Sequence, residues 1–553
     1  MPGTLVAPSK PSLDEARYLV KWYLYSTACY GDLFDESTLV EELSAWSTDR
    51  EETQDWTSAR LFLVLALGAQ TCPEDKDHVA QEYYAYGRVL TVFDAMEESS
   101  AGLAAAQCYV LITLYLLNGS RLNAAYMHLG QAARAAYALG LHRSDLVSAM
   151  PALERRMRDH LWRAIRAIDI HFSATLGRPL ATHEVRKSTT ILRNSPTVDM
   201  CMILELVLTE AYSKSSISTK ALYRILGLNR QWAAQYFPGS QSNSHGIHER
   251  VESGDSLLPD IGSCQLKQAF YGATLLLTSR YLSGSVKVRT RGVSPNLSQE
   301  RAAPGAPSPQ ILTVACVQSA IDLIELYREL LVAEQTPKRL PLVVNSVFYA
   351  ALVLGMATFG DVCTTLPLNG YLQTASKLLS MFHKHDWLAR HYLQIVEHLG
   401  EACRFYIERK SRTELKSRRD LIGKLFGHVD GHLDKSPNKQ STRSSLNSSL
   451  TEQSGRSPVG GGLIDHNMAS VISQSAQLEP QGSDIGSVIL DALDFPSLLD
   501  ASHLNSTSDQ ALTTPLSPFY DAIDLLKPDA DFVWPSPFTG GAFQALPVDV
   551  AGR

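Results

Sequence analysis

Cysteine is scarce and scattered in this chain. Its 553 residues hold eight, at Cys29, Cys72, Cys108, Cys201, Cys264, Cys316, Cys363 and Cys403, with no CxxC pair among them. That excludes a small disulfide scaffold and a cysteine-rich zinc module, both of which need clustered ligands. A reducing compartment is the simplest reading. Common enzyme signatures are missing too: there is no GxSxG, P-loop, GxGxxG after a strand, HExxH, or DDxxD to hold magnesium on a diphosphate. The chain is expected not to be an enzyme, with no catalytic residue. Nor does the N-terminal stretch MPGTLVAPSKPSLDEARYLV contain the apolar run of a secretory signal.

Two stretches, 99–120 and 340–360, lack charge and raise the membrane question. The first contains Gln107 and Asn118, and the second Pro341, Asn345 and Ser346. Lipid tolerates such groups poorly, whereas the interior of a large helical domain accommodates them. Buried helices are expected, and no membrane partner.

What is present divides the chain. The net charge of −7 averages a +3 body (1–450) and a −10 tail (451–553), and residues 404–443 alone carry +6. A nearly neutral body thus meets a basic hinge and then an acidic tail. At this length a large core plus a segment of different character is expected.

Apolar residues in the body recur at three-and-four spacing. Leu122, Ala125, Leu129, Ala132, Ala136 and Leu139 line one helical face. Leu153, Met157, Leu161, Ile165, Ile168, Phe172 and Leu176 line a second; Val314, Val317, Ile321, Ile324, Tyr327 and Leu331 a third; Tyr392, Val396, Leu399, Cys403 and Tyr406 a fourth. Strand-type alternation is rare, so the fold class is all-α: a large, bundle-like helical domain over 11–425. Gly140 is placed for a left-handed helix cap with Leu141 packing back, and Gly177 before Pro179 ends the next helix in the same way. Polar loops are expected at 237–262 and 283–309, and no 34-residue period marks a solenoid. From about Ser436 the chain turns to Ser, Asn, Gln, Gly and Pro. Such composition buries too little apolar surface to offset ordering entropy, so 426–553 is expected to be a disordered, Ser/Pro-rich acidic tail.

Several clusters have a chemical and a plain reading. His383, His385, His391 and His398 invite a metal, but no carboxylate or cysteine completes a set at ligand spacing; two turn histidines and two on a partly exposed helix are the plainer reading, and no metal ligand is assigned. Arg155, Arg156, Arg158, Arg163 and Arg166 are interleaved with Glu154, Asp159 and Asp169, which favours a salt-bridged face over a nucleic-acid groove. Asp169 lies near the apolar side, where Arg143 or Arg178 is a candidate partner. The basic run 409–424 reads equally as a nuclear-import signal or as a helix end continuing into solvent.

The tail sets bulky apolar residues among aspartates in three patches. They hold Leu493, Phe495 and Leu498; Phe519, Ile523 and Leu526; and Phe532 and Trp534. Acidic neighbours keep such side chains soluble until they dock in a partner's groove, the physics of a transcriptional activation segment; a passive tail is the alternative.

The body also carries a recognisable pair of helices. The run AAYMHLGQAARAAYALGLHR (124–143), then LERRMRDHLWRAIRAIDIHFSATLGRP (153–179), resembles the middle homology region of fungal transcription factors of the binuclear zinc cluster family. The matching positions are Gly140, Leu141, His142 and Arg143; Glu154, Arg155, Arg156, Trp162 and Asp169; and Leu176, Gly177, Arg178 and Pro179. Ala66-Leu67-Gly68-Ala69 and YGATLLLTSRYL (271–282) extend the likeness, which covers roughly 11–410. The resemblance implies a nuclear regulator whose helical domain tunes activity and whose acidic end recruits the transcription machinery or coactivators. In that family an N-terminal six-cysteine zinc module binds DNA, and these cysteines do not make one. No cofactor is expected in this chain, zinc entering only with an upstream cluster. Either a zinc module lies upstream or the regulator works through a DNA-binding partner; DNA contact from this chain is expected to be only indirect, and a homodimer is the other partner state. The alternative is a helical scaffold or small-molecule-binding protein without a transcriptional role.

Overall fold

A computed structural model describes residues 7–30, 33–48, 55–96, 102–143, 150–183, 195–212, 217–238, 260–291, 307–328 and 336–427. All of them lie within one compact unit, Met1–Ala501. The three apolar patches of the tail lie outside the described residues.

Among the described residues the protein is helical with no strand, as the periodicity requires. The helices are α1 (Leu13–Thr27), α2 (Glu36–Thr48), α3 (Trp56–Thr71), α4 (Asp77–Met96), α5 (Leu103–Asn118), α6 (Leu122–Ala138) and α7 (Ala152–Leu176). They continue with α8 (Pro196–Leu206), α9 (Thr219–Tyr236), α10 (Ile261–Arg291), α11 (Pro309–Leu326), α12 (Val343–Phe359), α13 (Leu368–Phe382) and α14 (Trp387–Phe426).

Helix starts are set chemically. Ser12, Asp55, Ser195, Ser218 and Ser308 each accept a backbone N–H from the first turn, and Pro196 and Pro309 follow two of these caps. Two ends behave as expected: Gly140 and Gly177 are left-handed, with φ of 68° and 65°. Leu141 N–H donates to Ala136 O at 3.0 Å and Arg178 N–H to Ser173 O at 3.2 Å, the six-to-one bond of a Schellman cap.

Two helices are buried almost along their whole length, each at the centre of a group of neighbours. In the first half α3 contacts α1, α4 and α5; in the second α12 contacts α11, α13 and α14. Helix α10 touches α1, α7, α11 and α12 and so joins the halves. The uncharged stretches become α5 and α12, both buried in the body. Helix α11 is long and apolar enough to cross a membrane by length and composition, but half of it is buried here.

Three expectations are corrected. The helix α10 runs on to Arg291 instead of yielding to a loop at Ser283. Tertiary contacts outweigh the local Gly and Val: Val286 is fully buried, and the Arg289 guanidinium donates to Gly360 O at 3.0 Å. Leu153 and Met157 are 69% and 39% exposed, because the first turns of α7 project from the body. Val314 is 50% exposed, leaving Val317, Ile321, Ile324 and Tyr327 as the buried face of α11.

Candidate functional site

The motif residues assemble where α6, α7 and the irregular segment 177–183 after α7 meet. The Schellman turn at Gly140 lays His142 beside Tyr137 and Trp162, with ring centroids 5.0 and 6.3 Å apart, and Tyr137 meets Trp162 edge-on at 5.6 Å. Leu141 and Leu176 are buried, as is Trp162. Glu154 pairs with Arg158 at 3.0 Å, and Arg158 also donates to Leu139 O at 3.1 Å, binding an otherwise unpaired carbonyl at the end of α6. Arg143, Arg155 and Arg156 face outward.

Asp169 is completely buried, and its partner is not an arginine. Its carboxylate accepts the backbone N–H of Ala181 at 3.1 Å and of Thr182 at 2.7 Å, and the Thr182 hydroxyl at 2.6 Å. Burial pushes its pKa up, against the pull of these three donors. Arg178 instead donates to Asn123 Oδ1, and its guanidinium lies 4.9 Å from the Tyr126 ring centre. Tyr126 donates its hydroxyl to Pro179 O at 3.0 Å; Tyr137 accepts the His183 N–H at 2.7 Å. Residues 177–183 are thus stitched to both helices. Sequence reasoning missed Thr182, Asn123, Tyr126 and Tyr137, because each acts across a gap that no local pattern spans.

The arginine face is salt-bridged where the sequence pairs it. Arg163 meets Asp159 at 2.6 Å. Arg166 turns inward instead, 6% exposed, to Glu205 Oε2 at 2.8 Å.

A second polar cluster ties the two halves. Asp77, at the start of α4, contacts Lys338 at 2.9 Å, Arg339 at 2.8 and 3.0 Å, and His385 Nδ1 at 3.0 Å. Burial alone would raise its pKa, but the Arg339, Lys338 and His385 partners hold it well below the usual carboxylate range. Asp75, Asp77 and His385 are the one set of three potential metal ligands converging among the described residues. Two neighbouring cations already occupy Asp77, an arrangement that repels a metal ion. His383, His391 and His398 are not brought into that set.

The basic run lies on the last turns of α14. Lys410 pairs with Asp361 at 2.5 Å, and residues 411–422 are exposed throughout. The helix end reaching into solvent, the plain reading of this segment, is its conformation.

Residues 23–192, from α1 through the Asp169–Thr182 turn, match the Fungal specific transcription factor domain. The chain is also similar to Transcription factor asqA of Emericella nidulans, at 37% identity over 121 residues. That alignment covers 22% of this chain and about a fifth (21%) of the relative. Over residues 23–192 the helical body is therefore similar to the fungal specific transcription factor domain.

Proposed function

We propose that this protein is a transcriptional regulator of the fungal zinc-cluster type acting in the nucleus. The helical body is its regulatory module, and the acidic 426–553 segment recruits transcription machinery or coactivators. The observation that carries this reading is the domain match over 23–192, whose motif side chains interlock in one corner of the body. The charge division supports it: a −10 tail set with Leu493, Phe495, Leu498, Phe519, Ile523, Leu526, Phe532 and Trp534 suits capture by a groove on another protein.

The protein is not an enzyme in this reading: its buried polar groups hold helices together. Its cysteines do not fit a zinc cluster, since the seven described ones are buried or half-buried and spread over separate elements. No cofactor is assigned to this chain, zinc entering only with an upstream cluster, and operator contact is indirect, through a DNA-binding partner. No membrane is involved. The exposed basic end of α14 supplies a cationic surface for nuclear import.

Fusing residues 484–553 to an unrelated DNA-binding domain tests the reading. Reporter activation that falls when Phe519, Ile523 and Leu526 become Ala is expected. A silent fusion contradicts the activation role and leaves the scaffold alternative.

A further inference from the structure

The last turns of α14 stand clear of the body. Tyr406 and Lys410 still reach back to Asp361, at 3.2 and 2.5 Å, but from Ser411 to Ile422 every residue is exposed. Charged and polar side chains suit such a position. Yet Leu415, Leu421, Ile422, Leu425 and Phe426 are 65%, 58%, 55%, 68% and 84% exposed. Exposed apolar side chains scattered singly are ordinary; a run of them along about three turns of one helix marks a contact surface.

Their spacing draws them together. At about 100° per residue, Leu415, Ile422 and Phe426 fall along one line of the helix, with Leu421 and Leu425 beside it. Tyr406 and Lys410, which hold the helix to the body, lie to one side of this stripe, and Arg409, Lys416 and Lys424 lie opposite it.

The stripe has the arrangement of two coiled-coil heptads. With Leu415 and Ile422 at a, Arg418 and Leu425 take d, Glu414 and Leu421 take g, and Arg419 and Phe426 take e. In a parallel pair each g faces the partner helix's e five residues on. Glu414 then meets Arg419 of a second copy, and Leu421 meets Phe426, so both flanks complement themselves. An antiparallel pair sets e against e and loses the match, with cation facing cation. Arg418 is the polar interruption in the seam; it pairs with Glu414 of its own helix at 4.0 Å, and its long stem lets the guanidinium reach the edge. Ahead of Leu415 the a and d sites are Glu408 and Ser411, so the seam begins at Leu415.

We propose that residues 414–426 are a dimerisation surface whose occupant is the same segment of a second copy, in a short parallel coiled coil. Two heptads bury less than the roughly 1,600 Å² of a standard interface, so the dimer is weak, with a dissociation constant on the order of micromolar or above. The basic side of each helix stays open to solvent in it.

Sedimentation of the full chain across the micromolar range tests this. A concentration-dependent monomer–dimer equilibrium is expected. Leu415→Asp combined with Ile422→Asp should raise the dissociation constant by about tenfold or more. Both positions are exposed, so the melting curve of the diluted monomer should not move. Glu414→Arg should weaken the dimer by about threefold or more, adding Arg419→Glu should recover most of that loss, and Arg418→Leu should tighten the dimer. A monomer at every concentration, a dimer indifferent to Leu415 and Ile422, or a charge swap that recovers nothing would overturn the proposal. So would slow amide exchange over 414–426 in a chain that stays monomeric, which would put another segment of the same chain on the stripe.

Discussion

Thr182 gives Asp169 two hydrogen bonds, one from its backbone N–H at 2.7 Å and one from its hydroxyl at 2.6 Å. The pair spans the end of α7 and closes the Leu-Gly-Arg-Pro turn back onto the helix that precedes it. Asp169→Asn keeps the shape but presents an amide to three donors, so it should cost about 1–3 kcal/mol of unfolding free energy. Thr182→Val, which removes only the hydroxyl bond, should cost less, about 1 kcal/mol. Urea unfolding of both variants checks the order; a reversed order would show that the hydroxyl, not the backbone pair, carries the turn.

Burial pushes the His171 imidazole below its ordinary pKa, and His128 and His391 likewise. The unfolded chain takes up protons below about pH 6.5 that these folded side chains refuse. Stability should therefore fall as pH drops through that value. Near pH 5.5 the wild-type slope should exceed that of His171→Phe by up to about 1.4 kcal/mol per pH unit. Matching slopes would mean that His171 protonates without unfolding.

Asp77 titrates with the same sense, in a more acidic window. Its folded pKa is depressed, so its contribution is in place above about pH 4, the unfolded value, and is lost as pH falls further. Asp77→Asn leaves Lys338, 5% exposed, with only a carbonyl for a partner at 3.0 Å. Because the carboxylate is itself a third exposed, a loss of about 1–3 kcal/mol at neutral pH is expected rather than the larger cost of a fully buried pair. A melting curve indistinguishable from wild type would show that water replaces the carboxylate freely.

Gly68 lies against α1 so closely that a Cβ there would fall 2.0 Å from Leu19 O. Gly68→Ala must push two packed helices apart and should cost about 3 kcal/mol or more. Gly130, in the middle of α6, has nothing within 4 Å of that position, and Gly130→Ala should add about 0.5–1 kcal/mol. Thermal melts of the two alanine variants should move in opposite directions.

The exposed end of α14 should tolerate charge changes. Replacing Arg412, Lys416, Arg418 and Arg419 by Gln should leave stability within about 0.5 kcal/mol per site. In cells the same variant should lose nuclear accumulation. Retained accumulation would move the import signal elsewhere.

Much of the fold is legible in periodicity. The three-and-four spacing of Leu122 to Leu139 identifies α6, and Gly140 and Gly177 mark left-handed caps, because these features depend on neighbours within one or two turns. The same logic fails where distant contacts decide. Local Gly and Val argue for a break after Ser283, yet the burial of Val286 and the Arg289 bonds to the end of α12 keep α10 helical. Leu153 and Met157 continue the apolar pattern of α7, but among the described residues no surface buries them.

By itself, the sequence determined that the body is helical, that its charge divides body from tail, and that the helices at 124–143 and 153–179 have a family character; composition and spacing carry that information locally. Only the tertiary structure decided that Asp169 answers to Thr182 and that Asp77 gathers Lys338, Arg339 and His385. Those pairings join residues from 13 to more than 300 positions apart. A buried polar group takes whichever partner packing delivers, and no pattern along the chain encodes that choice.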